Sequence, residues 1–399
     1  MMDIVKILAV FGLIVLLLRL RWNLGFVMLL AATVLGTLYR MGPLEQARVI
    51  FTSSRDLVTV SVVVALAFIM VLENIIRKKG LLKRMTGSLV NVAQDRRIAM
   101  AVLPGVIGLL PSAGGAAFSA PLVQEVAADS TISPERRAFI NYWFRHIWEY
   151  ISPLYPGIVL VVAITGVSLN SFLLSQLPLP VAVVGAGAYF GFRGVPRGEI
   201  AGSRTMKEIL TLTTTLLPII AAIVLVVVFK MNLALAMAGI VIVMFLFYRY
   251  SIRDVVTTLR ESLSLNILLM VVGIMVFKGM LTATGAIDAL PAFFEQSGLP
   301  HSAVLFSLPF LVGLLTGLTI GFVGASFPII TVMMGGNPEP AALTFAFASG
   351  FAGVMLSPTH LCLILTCRFL KADMAGVYRL LYLPVIIILA VGFVAFLAG

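Results

Sequence analysis

Ile69-Met70-Val71 returns as Ile274-Met275-Val276, and Gly80 returns as Gly285, both at a separation of 205 residues. Four residues of further shift align Gly108-Leu109 with Gly317-Leu318, Gly115-Ala116 with Gly324-Ala325, and Phe118 with Phe327. The chain reads as a duplicated unit, which leaves few folds open, because the two copies must be related by an axis and bury matching faces together. The most recognisable stretches of the repeat are apolar segments broken by Gly and Pro. That pattern belongs to secondary transporters whose site lies between two membrane-embedded repeats.

Composition sets the class. The chain is 60% hydrophobic and 11% charged, with a mean hydropathy of +1.10, whereas soluble domains carry about a quarter charged residues. An all-α polytopic membrane protein is expected. A barrel would need segments of about ten residues alternating apolar and polar, and the apolar runs here approach or exceed what spans ~30 Å of hydrocarbon. The first run, Ile4 to Leu20, has no small-residue cleavage site after it and reads as a retained helix. Cys362 and Cys367, five apart in one apolar segment, point to neither a disulfide framework nor a metal site.

The formal net charge of +11 raises nucleic acid as a partner, but the placement of the charges excludes it. Crossings are expected at Ile4 to Leu20, Leu24 to Tyr39, Val58 to Ile76, Ala138 to Val167 and Ser171 to Phe192. Five crossings turn the second copy over, so Ile209 to Phe229 begins it from the opposite side and the repeats are inverted. With the Arg19/Arg21 turn in the cytoplasm, all but seven of the 28 Lys and Arg fall on cytoplasmic segments. Lys6, Arg40, Arg48, Arg55 and Lys230 lie outside; Arg145 and Lys278 lie within apolar segments. This bias sets the orientation, with both termini outside an inner (plasma) membrane.

The expected organisation is repeat 1 over 1–192, a basic cytoplasmic linker over 193–207, and repeat 2 over 208–399. In repeat 1, scaffold helices cover 4–97, a re-entrant hairpin 98–128, a broken helix 138–167 and a last helix 171–192. In repeat 2 the same parts cover 209–299, 302–333, 342–370 and 376–398. The short amphipathic stretches Leu81 to Gln94 and Ala286 to Gln296 suit interfacial helices.

Each hairpin is argued from its breakers. Gly108, Pro111, Gly114 and Gly115 cluster where a spanning helix would be weakest, since proline removes a donor and glycine costs about 1 kcal/mol against alanine. A re-entrant turn near Pro111 to Gly115 accommodates them, and unwound backbone at that depth must be buried in protein or line a wet cavity. The second tip is expected near Thr319 to Ser326, entering from outside. Small residues that merely let helices pack would give single glycines; two matched breaks favour a site. The half-helices that start at the tips present unpaired N–H groups and a positive dipole end, which favours an anion.

After each hairpin comes a helix interrupted at a shared Ser-Pro, Ser152-Pro153 in one copy and Ser357-Pro358-Thr359-His360 in the other. Prolines 153, 156 and 358 free carbonyls that solute, water or a cation must satisfy. Arg145 and Glu149 are four apart and can pair on one face; as a functional pair they would serve the site, and as a structural pair they would sit near the interface. His146 and His360 have the near-neutral basicity of a proton carrier. Glu73 marks the end of its helix, and Lys278, its counterpart, is expected to snorkel outward. No spacing of His, Cys and carboxylates resembles a zinc motif, and no phosphate loop or nucleophile–base pair is present, so an enzyme is not expected.

At Gly108 to Val123, Phe144-Arg-His-Ile-Trp-Glu149 and Leu356-Ser-Pro-Thr-His-Leu-Cys362 the chain resembles the ion transporter superfamily, and within it the domain-of-unknown-function 401 family. The resemblance implies an elevator-type carrier, usually dimeric, in which hairpins, broken helices and last helices move against a scaffold, and which carries anions with sodium ions or protons. The tips read Pro111-Ser-Ala-Gly-Gly115 and Gly321-Phe-Val-Gly-Ala-Ser326 where the dicarboxylate branch of the superfamily has Ser-Asn-Thr, a departure that weighs against sodium coupling.

The expectation is therefore a secondary transporter of a small anionic solute, driven by a proton or sodium gradient. Ser112, Gly114, Gly115, Arg145, Ser152, Gly324, Ser326, Ser357 and Thr359 would bind solute. His146, Glu149, Pro153, Pro358 and His360 would serve the coupling ion, with sodium as the one candidate cofactor. The titratable groups at the breaks tip the balance toward protons. The alternative is a channel-like or receptor-type membrane protein. The partners expected of the transporter are the small anionic solute, the bilayer and a second copy of the chain, with no nucleic acid.

Overall fold

The computed structural model describes residues 2–111, 115–127, 132–198, 205–286 and 300–398, which form helices joined by short turns. Five helices are long and apolar enough to cross a bilayer: Leu57–Lys78, Leu169–Phe192, Met206–Val228, Leu265–Ala283 and Met374–Ala398. Large apolar side chains face outward, with Val243, Leu246 and Phe247 at 63%, 72% and 75% exposure. In water such a surface would aggregate; in hydrocarbon it is the proper solvent face. The expected class, a helical membrane protein, stands.

The local chemistry that starts and stops these helices recurs in the two halves. Leu24–Leu38 begins at Asn23, whose side chain accepts the Gly25 N–H at 2.9 Å. Leu233–Phe247 begins at Asn232, which accepts the Ala234 N–H at 3.0 Å. Each asparagine follows a cationic residue with positive φ, Arg21 at 62° and Lys230 at 52°, and each helix ends in a Tyr-Arg pair whose arginine is left-handed, Arg40 at 60° and Arg249 at 50°. Gly80 and Gly285, matched in the sequence, both sit at φ 65°.

Leu24–Leu38 is shorter than a full crossing. Its 15 residues rise about 22 Å at 1.5 Å each, against ~30 Å of hydrocarbon. The chain then turns at Arg40 into an amphipathic helix, Pro43–Arg55, and after Arg249 into its counterpart, Ile252–Ser262. Neither was singled out in the sequence, because their apolar residues are too few to make a run; the signal was the helical spacing of those few. Ile252–Ser262 is held by a capping box in which Ser251 Oγ accepts the Asp254 N–H at 3.2 Å and Asp254 accepts the Ser251 N–H at 3.2 Å.

Hydrogen bonds from the Ser251 hydroxyl and backbone hold the Asp254 carboxyl below the usual carboxylate range. A depressed folded-state value means the stabilisation is present above the unfolded value and is lost as pH falls through the folded one. Ser251→Ala is expected to weaken this helix by about 1 kcal/mol, read as faster amide exchange confined to 252–256. Unchanged exchange would remove the box from the account.

The two halves are interleaved rather than side by side. Leu24–Leu38 packs on Leu265–Ala283, and Leu233–Phe247 packs on Leu57–Lys78. The first pair touches backbone to backbone, since a Cβ on Gly273 would lie 2.6 Å from the Gly25 carbonyl oxygen. Farther along, Ala116–Val126 packs on Leu361–Leu370 and Thr319–Met333 on Pro156–Thr165, while Pro178–Phe192 and Met374–Ala398 pack on each other. Each half thus covers surfaces that belong to the other.

The basic segments are tied down by local contacts. Lys78 pairs with Glu261, Lys79 sits over the Tyr250 ring at 4.3 Å, and Asn74 Nδ2 donates to Ser262 Oγ at 2.8 Å. Arg97 and Arg136 donate to the carbonyls of Val195 and Arg193, and the Arg96 N–H donates to Gly198 O at 2.8 Å. These are the segments whose charge sets the expected cytoplasmic face.

Candidate functional site

Two interrupted helices and two hairpins converge in the middle of the fold. Pro134–Arg145 starts under a Ser133 cap with proline in its first turn and stops at Arg145. A single 3₁₀ turn, Ile147–Tyr150, follows, and Pro153 and Pro156 hold the chain open until Pro156–Thr165 resumes. In the second half Pro340–Met355 stops just ahead of Ser357-Pro358, and Leu361–Leu370 resumes beyond them. A proline cannot donate the bond that would continue either helix.

The hairpins are Arg96–Ile107 with Ala116–Val126, and His301–Thr316 with Thr319–Met333. The second turns at Gly317, whose φ of 62° ends the first limb. The turn is therefore Gly317-Leu318, ahead of the expected Thr319 to Ser326, because the left-handed glycine closes the limb before the second helix starts at Thr319. The Gly317 turn presses on the other break: a Cβ there would lie 2.9 Å from the His360 backbone nitrogen. The first hairpin meets its own broken helix. Trp148 Nε1 donates to Gly105 O at 2.7 Å, Tyr155 OH donates to Gly108 O, and any side chain at Gly108 would collide with the Arg145 carbonyl.

A polar cluster lies where these parts meet. His146 and His360, 2% and 7% exposed, bring their Nε2 atoms to 3.2 Å. His146 Nδ1 faces the Tyr142 carbonyl oxygen at 2.5 Å and His360 Nδ1 faces the Gly317 carbonyl oxygen at 2.8 Å. Glu149 Oε1 lies 3.8 Å from His146 Nε2, and its Oε2 accepts the Thr319 hydroxyl at 2.6 Å. Arg145 is also buried here, as is Cys362. Tyr142 OH donates to Met355 O at 3.1 Å, and Asn141 Nδ2 to Thr366 Oγ1 at 2.9 Å, tying the two broken helices together on either side of the cluster.

Among known protein families, the one described as a protein of unknown function (DUF401) matches residues 4–398, nearly the whole chain. The chain belongs to the DUF401 family. No curated protein matches it. The match extends over both interrupted helices and both hairpins, so the cluster lies within what defines DUF401 rather than in an added segment.

Of the residues expected at the site of this DUF401 chain, His146, Glu149, His360 and Arg145 come together in the cluster. Ser112 and Gly114 lie outside the described residues. Gly115 caps the start of Ala116–Val126. Ser152 and Pro153 instead line an apolar cavity of about 340 Å³ with Trp148, Asn170 and Leu173. Gly324 and Ser326 lie on the second limb beyond the turn. A Cβ on Gly324 would collide with Ile274, and Ser326 Oγ bonds back to Phe322 O. Ser357 Oγ and Thr359 Oγ1 are 2.9 Å apart, and Thr359 with Pro358 opens onto a cavity of about 510 Å³ lined also by Arg21, Asn23, Asn266 and Thr316.

A third cavity, about 650 Å³, is lined by Ser61, Asn170, Lys230 and Asn232. It uses the same parts as the cavity of about 510 Å³, taken from the other half: the loop with the left-handed cation and the capping asparagine. Lys278, half-buried, donates from Nζ to Ala163 O at 3.0 Å, where the end of Pro156–Thr165 offers carbonyls that lack an intrahelical partner. Thr319 and Tyr142 were not singled out in the sequence. Cys362 was read there as neither a disulfide nor a metal ligand; its place two residues beyond His360, just after a helix break, brings it into the cluster.

Proposed function

We propose that the protein is a secondary active transporter of a small anionic solute, coupled to a proton or sodium gradient and related to the ion transporter superfamily. The chain would form two inverted repeats, 1–192 and 208–399, in an inner membrane with both termini outside. Hairpins, broken helices and last helices would move as an elevator against the remaining helices, in a homodimer; the dimer follows from the resemblance alone.

The observation that carries the reading is the convergence of both helix breaks and the Gly317 turn on one buried polar cluster. The matched backbone at Arg21/Lys230, Arg40/Arg249 and Gly80/Gly285, with the reciprocal packing of the halves, supports the duplication. The paired cavities, each carrying one cation at its rim, support an anion's approach from either side. Among the described residues neither Ala116–Val126 nor Thr319–Met333 has a side-chain cap, which suits the first N–H groups of each helix to a ligand.

Two experiments test it. Purified protein is screened for thermal stabilisation across small anions, with and without sodium, since a ligand of the native state raises apparent stability by mass action; no stabilisation by any anion, together with no uptake in proteoliposomes, would remove the transporter reading. Single cysteines placed at Ser203 and at Asn337 are expected to label from opposite faces of the membrane. Labelling from one face would remove the inversion.

A further inference from the structure

The two histidines hold each other at a distance that their own protons cannot explain. A backbone carbonyl oxygen only accepts hydrogen bonds, so the Tyr142 and Gly317 carbonyls place a proton on Nδ1 of His146 and on Nδ1 of His360. In the neutral rings both Nε2 atoms then carry lone pairs, and these face each other at 3.2 Å. Two acceptors at that distance need a cation between them. Either one extra proton is shared or a metal ion is bound.

The rest of the cluster decides between the two. One ring nitrogen of His146, one of His360 and Sγ of Cys362 all lie within 4.8 Å of one another, and all three residues are buried. With metal–nitrogen distances of about 2.0–2.1 Å and metal–sulfur of about 2.3 Å, tetrahedral ligands stand about 3.3–3.6 Å apart. The nitrogens already meet that spacing, and the sulfur reaches it by a shift of about 1 Å. Each ring donates its other N–H to a backbone carbonyl, the outer contact that fixes the orientation of metal-bound histidines. A shared proton would have no use for the third, sulfur donor.

We propose that His146, His360 and Cys362 form a site for a zinc-class divalent metal ion, with the Glu149 carboxylate, 3.8 Å from His146 Nε2, closing the fourth position. The sulfur and imidazole donors select zinc, cobalt or cadmium over magnesium and calcium, which take oxygen ligands. Binding releases the thiol proton of Cys362 to solvent, and the thiolate and carboxylate balance the charge of the ion. Arg145 leaves a net positive charge on the loaded site, as an anion-binding cavity requires. The ion would join residues of both broken helices, fixing the cluster as one body. The proposal stands whether or not the chain carries an anion, because it is read by binding alone.

The test uses the full chain in detergent, stripped with chelator and titrated with Co²⁺ and Zn²⁺. Expected is one equivalent of Co²⁺ per chain with the strong visible bands of tetrahedral cobalt and a thiolate-to-cobalt charge-transfer band, together with a raised thermal midpoint in Zn²⁺. Cys362→Ser should lose the charge-transfer band while Cys367→Ser, the other buried cysteine, keeps it. His360→Gln should weaken Co²⁺ by more than the roughly 10- to 100-fold that loss of an outer-shell partner costs. Folding of each variant is read from its metal-free midpoint, and Cys362→Asp, which restores a ligand, should recover Zn²⁺ stabilisation without the charge-transfer band. The proposal is overturned by stoichiometric failure to bind in the folded parent, by a charge-transfer band that survives Cys362→Ser, or by octahedral cobalt spectra; failure to bind would assign the histidine contact to a shared proton.

Discussion

Gly353→Leu is expected to prevent the second half of the chain from assembling. Gly353 lies where Pro340–Met355 crosses His301–Thr316, and a side chain there would run into the Phe310 carbonyl oxygen and stand 2.8 Å from the Leu314 nitrogen. Gly313, on the other helix, meets the Gly350 carbonyl in the same way. Every one of these neighbours is backbone, so no flexible side chain can yield, and a leucine must push the helices apart. In a bilayer, close packing of small residues is itself the source of helix association. Overpacking costs typically 1–3 kcal/mol and occasionally more; with backbone on both sides the expected cost is at least about 3 kcal/mol, a large share of the ~5–15 kcal/mol that holds a protein together. Thermal unfolding in detergent checks this, with Gly239→Leu as control, since nothing lies within 4 Å of a Cβ at Gly239. Equal midpoints for the two variants would mean the crossing is looser than described.

Thr319→Val is expected to cut solute uptake by about one to two orders of magnitude without changing the fold. Its hydroxyl donates to Glu149 Oε2 at 2.6 Å, and valine keeps the shape while removing the donor. A hydrogen bond to a charged group contributes about 1.5–3 kcal/mol, and each 1.4 kcal/mol is a tenfold change. The contact joins the start of the second hairpin's inner limb to the break of the first half's helix, so its loss loosens the geometry that the solute would meet. The measurement is initial uptake into proteoliposomes of whichever anion stabilises the parent, with Thr282→Val as control. Thr282 Oγ1 bonds only to the Lys278 carbonyl among the described residues. Wild-type uptake in Thr319→Val would take this contact out of the transport cycle.

How much could be read from the sequence differs by kind of information. Two helix breaks were legible from their Ser-Pro pairs: Pro153 stands between Ile147–Tyr150 and Pro156–Thr165, and Pro358 between Pro340–Met355 and Leu361–Leu370, whereas Pro104, Pro121, Pro309 and Pro328 lie inside helices. The two amphipathic helices Pro43–Arg55 and Ile252–Ser262 escaped notice, since a search for apolar runs does not see a helix whose apolar residues are spread along one face. Contacts between the halves were beyond reach. His146 and His360 are 214 apart in sequence, and no local pattern states which face of one break meets the other. Gly324 shows the limit most plainly: its match to Gly115 can be seen in the sequence, but only the fold shows that the space it leaves is occupied by Ile274.

The two cavities bear on a question of energy rather than of route. Were the halves identical and inverted, the inward-open and outward-open arrangements would be related by a two-fold rotation and equal in free energy, each populated by half the molecules. The cavities are not identical. Arg21 and Trp22 stand on the rim of one where Lys230 and Met231 stand on the other, and their volumes are about 510 and 650 Å³. Under the proposed inversion those differences are what lift the degeneracy, and a gap of about 1.4 kcal/mol places roughly ten molecules in one orientation for each in the other. Exchanging the residues of the two loops would then reset the resting orientation of the carrier while leaving its binding cluster untouched.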